Sequence, residues 1–231
     1  MKISRPILAT LGFGLLGSGA LASTVVASSL GGFSATVSNP SSSSGSGTLL
    51  LQEGVGARSC ISTGTGTSAS SSISSNANTN CPLNLFSSNN LEPGAAATSA
   101  TVTLNNPGSL TASSLSLTPG SCTAGDNSSP GGISNSYFGT DTAGFCGKID
   151  VSIENDSGST PSCVFPVASP GVACVAPSSA GTLANLTSLT LPGLAAGASA
   201  SYKISVALDS AATNADQGLA ATMPLTWTLN Q

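Results

Sequence analysis

Two runs near the C-terminus, Tyr202-Lys-Ile-Ser-Val-Ala-Leu208 and Leu219-Ala-Ala-Thr-Met-Pro-Leu-Thr-Trp-Thr-Leu229, carry apolar residues at every second position. Successive side chains of a β-strand point to opposite faces, so this period of two predicts strands with one buried face. Trp227 is predicted to lie in the core. Pro224 stands on the polar face and lacks a backbone donor, so we expect the last strand to be at an edge, bulged or broken there.

The same alternation occurs earlier, in Ala100–Leu104 and Ile149–Glu154. In the second of these, Asp150 and Glu154 are expected on a solvated outer face rather than in a calcium site. Proline followed by glycine marks tight turns between the predicted strands, at Pro93-Gly94, Pro107-Gly108, Pro119-Gly120, Pro130-Gly131 and Pro192-Gly193. Short strands with such turns predict an all-β fold, an antiparallel β-sandwich; its connections are expected to be those of a jelly roll, and a Greek key stays open.

The N-terminus has the pattern of a secretory leader. Lys2 and Arg5 precede a glycine-diluted apolar run that ends in small residues. We predict a signal peptide over residues 1–27, and cleavage after Ala22 and cleavage after Ala27 both stay open. Without the leader's two basic residues, the net charge changes from −4 to −6.

The remaining chain divides into a short N-terminal part and one large domain. Residues 28–47 are predicted to form a strand followed by a Ser/Gly linker, and residues 48–231 the β-sandwich domain. No segment after the leader is apolar enough to span a membrane. A chain this acidic is not expected to bind nucleic acid through its phosphates.

Six cysteines follow the predicted leader, and exported thiols meet an oxidising environment. We therefore predict three disulfides that staple loops rich in Gly, Ser, Asn and Pro. Sequential pairing is favoured and nested pairings stay open; the sequential pairs are Cys60 with Cys81, Cys122 with Cys146, and Cys163 with Cys174.

The composition argues against most enzymes. The chain contains no histidine, so a Ser-His-Asp site cannot form and a zinc protease lacks its usual ligands. No C-x-x-C pair is present. We predict no catalytic site, no metal site and no cofactor.

Three stretches together resemble the TasA/camelysin family of exported β-sandwich proteins, whose members include subunits of biofilm-matrix fibres. Each stretch resembles a family segment: the leader exit and first strand, a central hairpin, and the closing strand. The stretches are Phe33–Asn39 with Gly47–Leu51, Asn90–Gly94 with Val102–Leu110, and Asn214–Leu219 with Leu225-Thr226-Trp227. Asp216 departs from the family pattern, which usually has tyrosine there.

The resemblance implies a secreted structural protein that assembles into a fibre by donating an N-terminal strand to its neighbour. Phe33, Ala35 and Val37 alternate with polar residues and are the predicted buried face of that donor strand. The expected location is the extracellular matrix or the cell surface. The expected partners are other copies of the chain, with further matrix or envelope components as additional candidates.

Two other functions stay open from the sequence. One is a monomeric adhesin or glycan-binding β-sandwich on the cell envelope. The other is a metalloprotease activity like the one attached to the camelysin name, against which the absence of histidine weighs.

Overall fold

The structure is a computed structural model that describes residues 46–68, 76–86, 91–127 and 139–231. Residues Gly47–Gln231 form one compact unit. Its described residues form eleven strands: β1 (Gln52–Val55), β2 (Arg58–Ile61), β3 (Thr98–Asn105), β4 (Ser114–Pro119), β5 (Thr123–Asp126), β6 (Ile149–Asn155), β7 (Ser162–Phe165), β8 (Leu189–Pro192), β9 (Ser199–Leu208), β10 (Leu219–Thr222) and β11 (Leu225–Asn230).

The strands pair into three antiparallel sheets. The large sheet has the order β2-β1-β3-β9-β6-β7, the small sheet has the order β11-β4-β8, and β10 pairs with β5. The central register aligns Val102 of β3 with Tyr202 of β9, and Val151 of β6 with Val206 of β9. A two-residue turn joins β1 to β2, and it begins with Gly56 at φ 58°, the left-handed conformation that such hairpins require.

The core lies between the apolar faces of the large and small sheets. Val102, Leu104, Ile153 and Ile204 contribute from the large sheet and are almost completely buried. Leu115, Leu117, Leu191 and Trp227 contribute from the small sheet and belong to the same cluster. The predicted all-β, antiparallel sandwich is therefore confirmed.

The jelly-roll connection is not confirmed. A jelly roll has eight strands in two sheets, with two Greek keys. Here six strands fall in one sheet and three in the other, and β5–β10 forms a separate pair.

Pro224 interrupts the last predicted run as expected. The chain forms β10 as far as Thr222, leaves the ladder at Met223 and Pro224, and resumes as β11. The two halves then pair with different strands, β10 with β5 and β11 with β4. The Trp227 ring packs against Tyr202 with centroids 5.4 Å apart, in the core position that the alternation predicts.

The turn after β3 is built around one buried amide, Asn106. Its Nδ2 donates to Leu110 O at 2.8 Å and to Leu194 O at 3.1 Å, and its Oδ1 accepts from Gly108 N at 3.1 Å. Its backbone N–H and carbonyl also bond, to Ala198 and Gly197. A side chain on Gly108 would clash with the Thr48 carbonyl, so the close approach of the segment before β1 to this turn requires glycine at position 108. We call it the Asn106 turn.

Three disulfides join the sequential cysteines, Cys60–Cys81, Cys122–Cys146 and Cys163–Cys174. Each closes a loop of 11 to 24 residues. Such loops restrict the unfolded chain and contribute about 3 kcal/mol each in the chain-entropy model.

The sequence predicts a solvated outer face for Asp150 and Glu154 on β6, and this prediction is wrong. Both residues are buried. Glu154 Oε2 accepts from the backbone N–H of Cys174 at 2.7 Å, and Thr182 forms a bridge with Asp150. Segments from later in the chain therefore cover β6 near both of its ends, which alternation within one strand cannot reveal.

The predicted signal peptide at 1–27, the linker up to residue 45 and the donor-strand residues Phe33, Ala35 and Val37 lie outside the described residues. In the part of the chain that is described, no helix is both long and apolar enough to cross a membrane.

Candidate functional site

A cavity of about 590 Å³ opens beside β11, between the small sheet and the β1–β2 end of the large sheet. We call it the β11 groove. The large sheet continues past β3 through β1 and β2, whereas the small sheet stops at β11. Most of the groove wall is apolar, with Leu51, Leu83, Phe86, Met223, Leu225 and Leu229 among the lining side chains. These six side chains are only partly buried against the core.

The groove is bordered by the free backbone edge of β11. Gly120 N donates to Pro224 O, so these two residues form a hydrogen-bonded pair. Hydrogen-bonded pairs occur at every second position of an antiparallel ladder, so the backbone groups of Thr226, Thr228 and Asn230 point toward β4. The N–H and carbonyl groups of the alternate residues Leu225, Trp227 and Leu229 face the other way. Since β11 is the outer strand of its sheet among the described residues, no described strand bonds to these groups, and a further strand can.

The opposite wall is formed by Leu49–Leu51, the β1–β2 hairpin and the loop that Cys60–Cys81 attaches to β2. Two asparagines of this loop fix its course. Asn76 Nδ2 donates to Leu49 O at 2.7 Å, and Asn78 Nδ2 donates to Ile61 O at 3.0 Å. The wall is therefore held by side-chain bonds and one disulfide rather than by a continuous sheet.

Glu53 is the single ionisable side chain among the described residues that line the groove. It lies on β1 opposite Cys60 and Leu104, so it points to the inner face of the sheet. Its Oε2 lies 3.8 Å from the sulfur of Cys81. Burial raises the pKa of the Glu53 carboxyl to about 7, and the Trp227 indole partly opposes this shift.

The indole N–H of Trp227 is buried and makes no hydrogen bond of regular geometry within the described structure. A buried donor without a partner costs about 1–3 kcal/mol. The floor of the groove thus holds a carboxyl that burial keeps about half protonated at pH 7 and an indole N–H that lacks a full partner. The indole N–H favours an occupant that brings a hydrogen-bond acceptor, such as a backbone carbonyl, and the desolvated carboxyl favours an occupant without negative charge.

The sequence analysis did not identify Glu53, although one signal was present. Glu53 alternates with the apolar residues Leu49, Leu51 and Val55, so it is an acid on the apolar face of its strand.

The six predicted disulfide cysteines are brought together in pairs, and one pair, Cys60–Cys81, borders the groove. Among the described residues, no three His, Cys, Asp or Glu side chains form a cluster that could hold a metal ion.

No family model matches this chain, and no curated protein is significantly similar to it. Chemically, the groove combines an apolar wall, a row of free backbone donors and acceptors, and one carboxyl. This combination can receive an extended peptide strand.

Proposed function

We propose that this protein is an exported structural subunit that assembles into extracellular fibres by strand exchange, with the β11 groove as the acceptor. The observation that carries the proposal is the free edge of β11 beside an apolar groove. An added strand would bond to the exposed backbone of β11 and place alternate side chains in the groove, which is the recognition mode called β-augmentation.

The donor is the segment Leu30–Val37. Its predicted buried face comprises Phe33, Ala35 and Val37, and this stretch would span about 13 Å as a strand at 3.3 Å per residue. β11 has six residues, so it is long enough to pair with that stretch. Burying roughly 250 Å² of apolar surface corresponds to about 6 kcal/mol before the cost of ordering the strand.

The linker allows the donor to reach a neighbour. From its composition, the Ser/Gly run Ser41–Gly47 is expected to have a root-mean-square span of about 15 Å. It leads directly to Leu49–Leu51, which line the groove. A donor on such a tether can enter its own groove or that of an abutting subunit, and repetition of the second arrangement gives a fibre.

Donor variants in the mature protein test this function. We expect filaments in electron micrographs from the unmodified protein and folded monomers from a deletion of residues 28–40. Phe33→Asp should reduce filament yield at least about tenfold, because the charge enters the groove. The matched control is Ser34→Asp, whose side chain points away from the groove and which should polymerise normally.

The acceptor is tested on β11 itself. Leu229→Asp places a charge in the groove and should abolish assembly, whereas Thr228→Asp changes the exposed face of the same strand. Filaments of normal yield from both the deletion and Leu229→Asp would overturn the strand-exchange proposal. Monodisperse unmodified protein under all conditions would favour the monomeric adhesin instead.

A further inference from the structure

The exposed large apolar side chains of the described structure lie on one short segment. Val167, Val172 and Val175 are 67%, 59% and 84% exposed. The smaller apolar residues among them are exposed as well: Ala168, Pro170, Ala173 and Ala176. The disulfide Cys163–Cys174 closes most of this segment into a loop after β7, and we call residues 166–176 the valine loop. Apolar residues that are exposed together, rather than singly, mark an interaction surface.

The valine loop is fixed at both ends, which holds its valines away from the core. Cys163 N donates to Val172 O, and Ser169 N donates to Cys163 O, both at 2.8 Å. At the other end, Cys174 N donates to the buried Glu154 Oε2 at 2.7 Å. The loop thus occupies the backbone groups of Cys163 on the outer edge of β7, so a partner meets side chains there rather than a free strand edge.

The distribution of charge indicates that the partner is a second copy of the chain. The net charge is −4, or −6 without the predicted leader, so copies repel each other where their acids meet. No charged residue occurs between Asp156 and Lys203, so two copies that meet at the valine loop bring no charges of this segment together. The neighbouring acid on β6 is balanced, because Glu154 Oε1 lies 4.0 Å from Lys203 Nζ.

A lipid surface is a poorer match for the valine loop. Surfaces that bind at the membrane interface carry Trp, Tyr, Lys or Arg beside their apolar residues. The valine loop contains none of these residue types.

The size of the valine loop limits how strongly two copies can bind. Its apolar surface is at most a few hundred Å² per copy. Two loops together therefore bury less than the roughly 1,200 Å² of a stable interface. A single contact is weak, and it becomes strong only where many copies stand in a row.

We propose that the valine loop is a self-association surface, at which the loops of two copies pack against each other about a twofold axis. In solution this contact gives a weak dimer. Along fibres it recurs at every subunit and joins neighbouring fibres side by side, and this part rests on the proposed function. The contact joins fibres that already exist, so filament yield does not depend on it.

Sedimentation equilibrium of the mature protein with Phe33→Asp tests the contact in the absence of strand exchange. We expect a dimer with a Kd on the order of 10⁻⁴–10⁻³ M, as for a small apolar interface. Replacing Val167, Val172 and Val175 together by serine should weaken the dimer at least about tenfold, because the apolar surface is lost. Since all three side chains are exposed, the melting temperature should not change.

Opposite charges at the most exposed valine test whether the contact is loop to loop. In the same Phe33→Asp protein, Val175→Asp and Val175→Lys should each reduce dimerisation, because like charges then meet. A mixture of the two should associate at least about tenfold more tightly than either variant alone. The matched control is the same pair of substitutions at Thr118, an exposed residue of β4, whose mixture should show no such gain.

The proposal is overturned if the Phe33→Asp protein stays monomeric at about 1 mM, if the triple serine variant dimerises as strongly, or if mixing the Val175 variants gives no gain. Binding of a protein that stays monomeric to phosphatidylcholine vesicles, lost in the triple serine variant, would assign the loop to a membrane surface instead.

Electron microscopy tests the part that concerns fibres. With Phe33 intact, the triple serine variant should give filaments of normal yield that lie singly, and filaments that still lie side by side would overturn this part. Absence of filaments from the unmodified protein would overturn strand exchange, and the sedimentation experiment would still decide on the valine loop.

Discussion

The Asn106 turn and the β11 groove both bury polar groups, but they differ in how completely those groups are hydrogen-bonded. In the turn, the Asn106 side chain and backbone make five hydrogen bonds, and the residue is completely buried. In the groove, Trp227 Nε1 lacks a regular partner and the Glu53 carboxyl has a raised pKa. A satisfied polar group fixes a fold, whereas an unsatisfied one beside a free strand edge indicates where a partner binds.

The largest loss of stability is expected from a substitution in the Asn106 turn. Asn106→Leu keeps a similar volume but removes three side-chain hydrogen bonds and leaves the carbonyls of Leu110 and Leu194 without this donor. We expect a loss of about 3–4 kcal/mol in the free energy of unfolding, measured by urea denaturation. The control is Asn105→Leu, since Asn105 makes one weak bond of 3.4 Å to Ser199. A change below about 1 kcal/mol for Asn106→Leu would show that the turn does not stabilise the fold.

The disulfides provide a second comparison, because one borders the groove and another lies away from it. Replacing both Cys60 and Cys81 by alanine should cost about 3 kcal/mol and also lower filament yield, since the loop that forms the groove wall is released. Replacing both Cys163 and Cys174 should cost a similar amount and leave assembly intact. Stability is measured by denaturation and assembly by sedimentation; equal assembly defects in the two variants would contradict this distinction.

The smallest effect is expected from Glu53, and it depends on pH. Its pKa is about 7 in the folded protein and about 4.5 in the unfolded chain, so the folded state binds the proton more tightly. This difference in proton affinity stabilises the folded state by its full amount below pH 4.5, and the stabilisation is lost as the pH rises through 7. Because the side chain is partly exposed, we expect it to be on the order of 1–2 kcal/mol.

Glu53→Gln should remove that pH dependence and make the protein more stable than the unmodified form at pH 8. Thermal melts at pH 5 and pH 8 measure the effect, and Glu92→Gln, on an exposed glutamate, is the control. If the melting temperatures of Glu53→Gln at pH 5 and pH 8 differ as much as those of the unmodified protein, another group causes the pH dependence. Inserting an apolar strand beside Glu53 desolvates it further, so assembly should also be favoured at pH 5.

The sequence by itself determined the local features of this protein. Alternation in Tyr202–Leu208 and Leu225–Leu229 sets which side chains face the core, because a strand has a period of two regardless of its partner. Pro224 breaks the last strand because it lacks a backbone donor. The loops between successive cysteines indicated which pairs to favour, and these are the pairs that the structure contains.

Only the tertiary structure decided which edge is left open and which polar groups are buried. β3 pairs with β9 through residues about one hundred positions apart, such as Val102 and Tyr202, so local patterns cannot give the strand order that leaves β11 at an edge. The same holds for the burial of Asn106 and Asp216, whereas for Glu53 the sequence showed only that an acid stands on the apolar face of its strand. Their burial depends on segments from distant parts of the chain, and desolvation and hydrogen bonding are set by what surrounds a group in space.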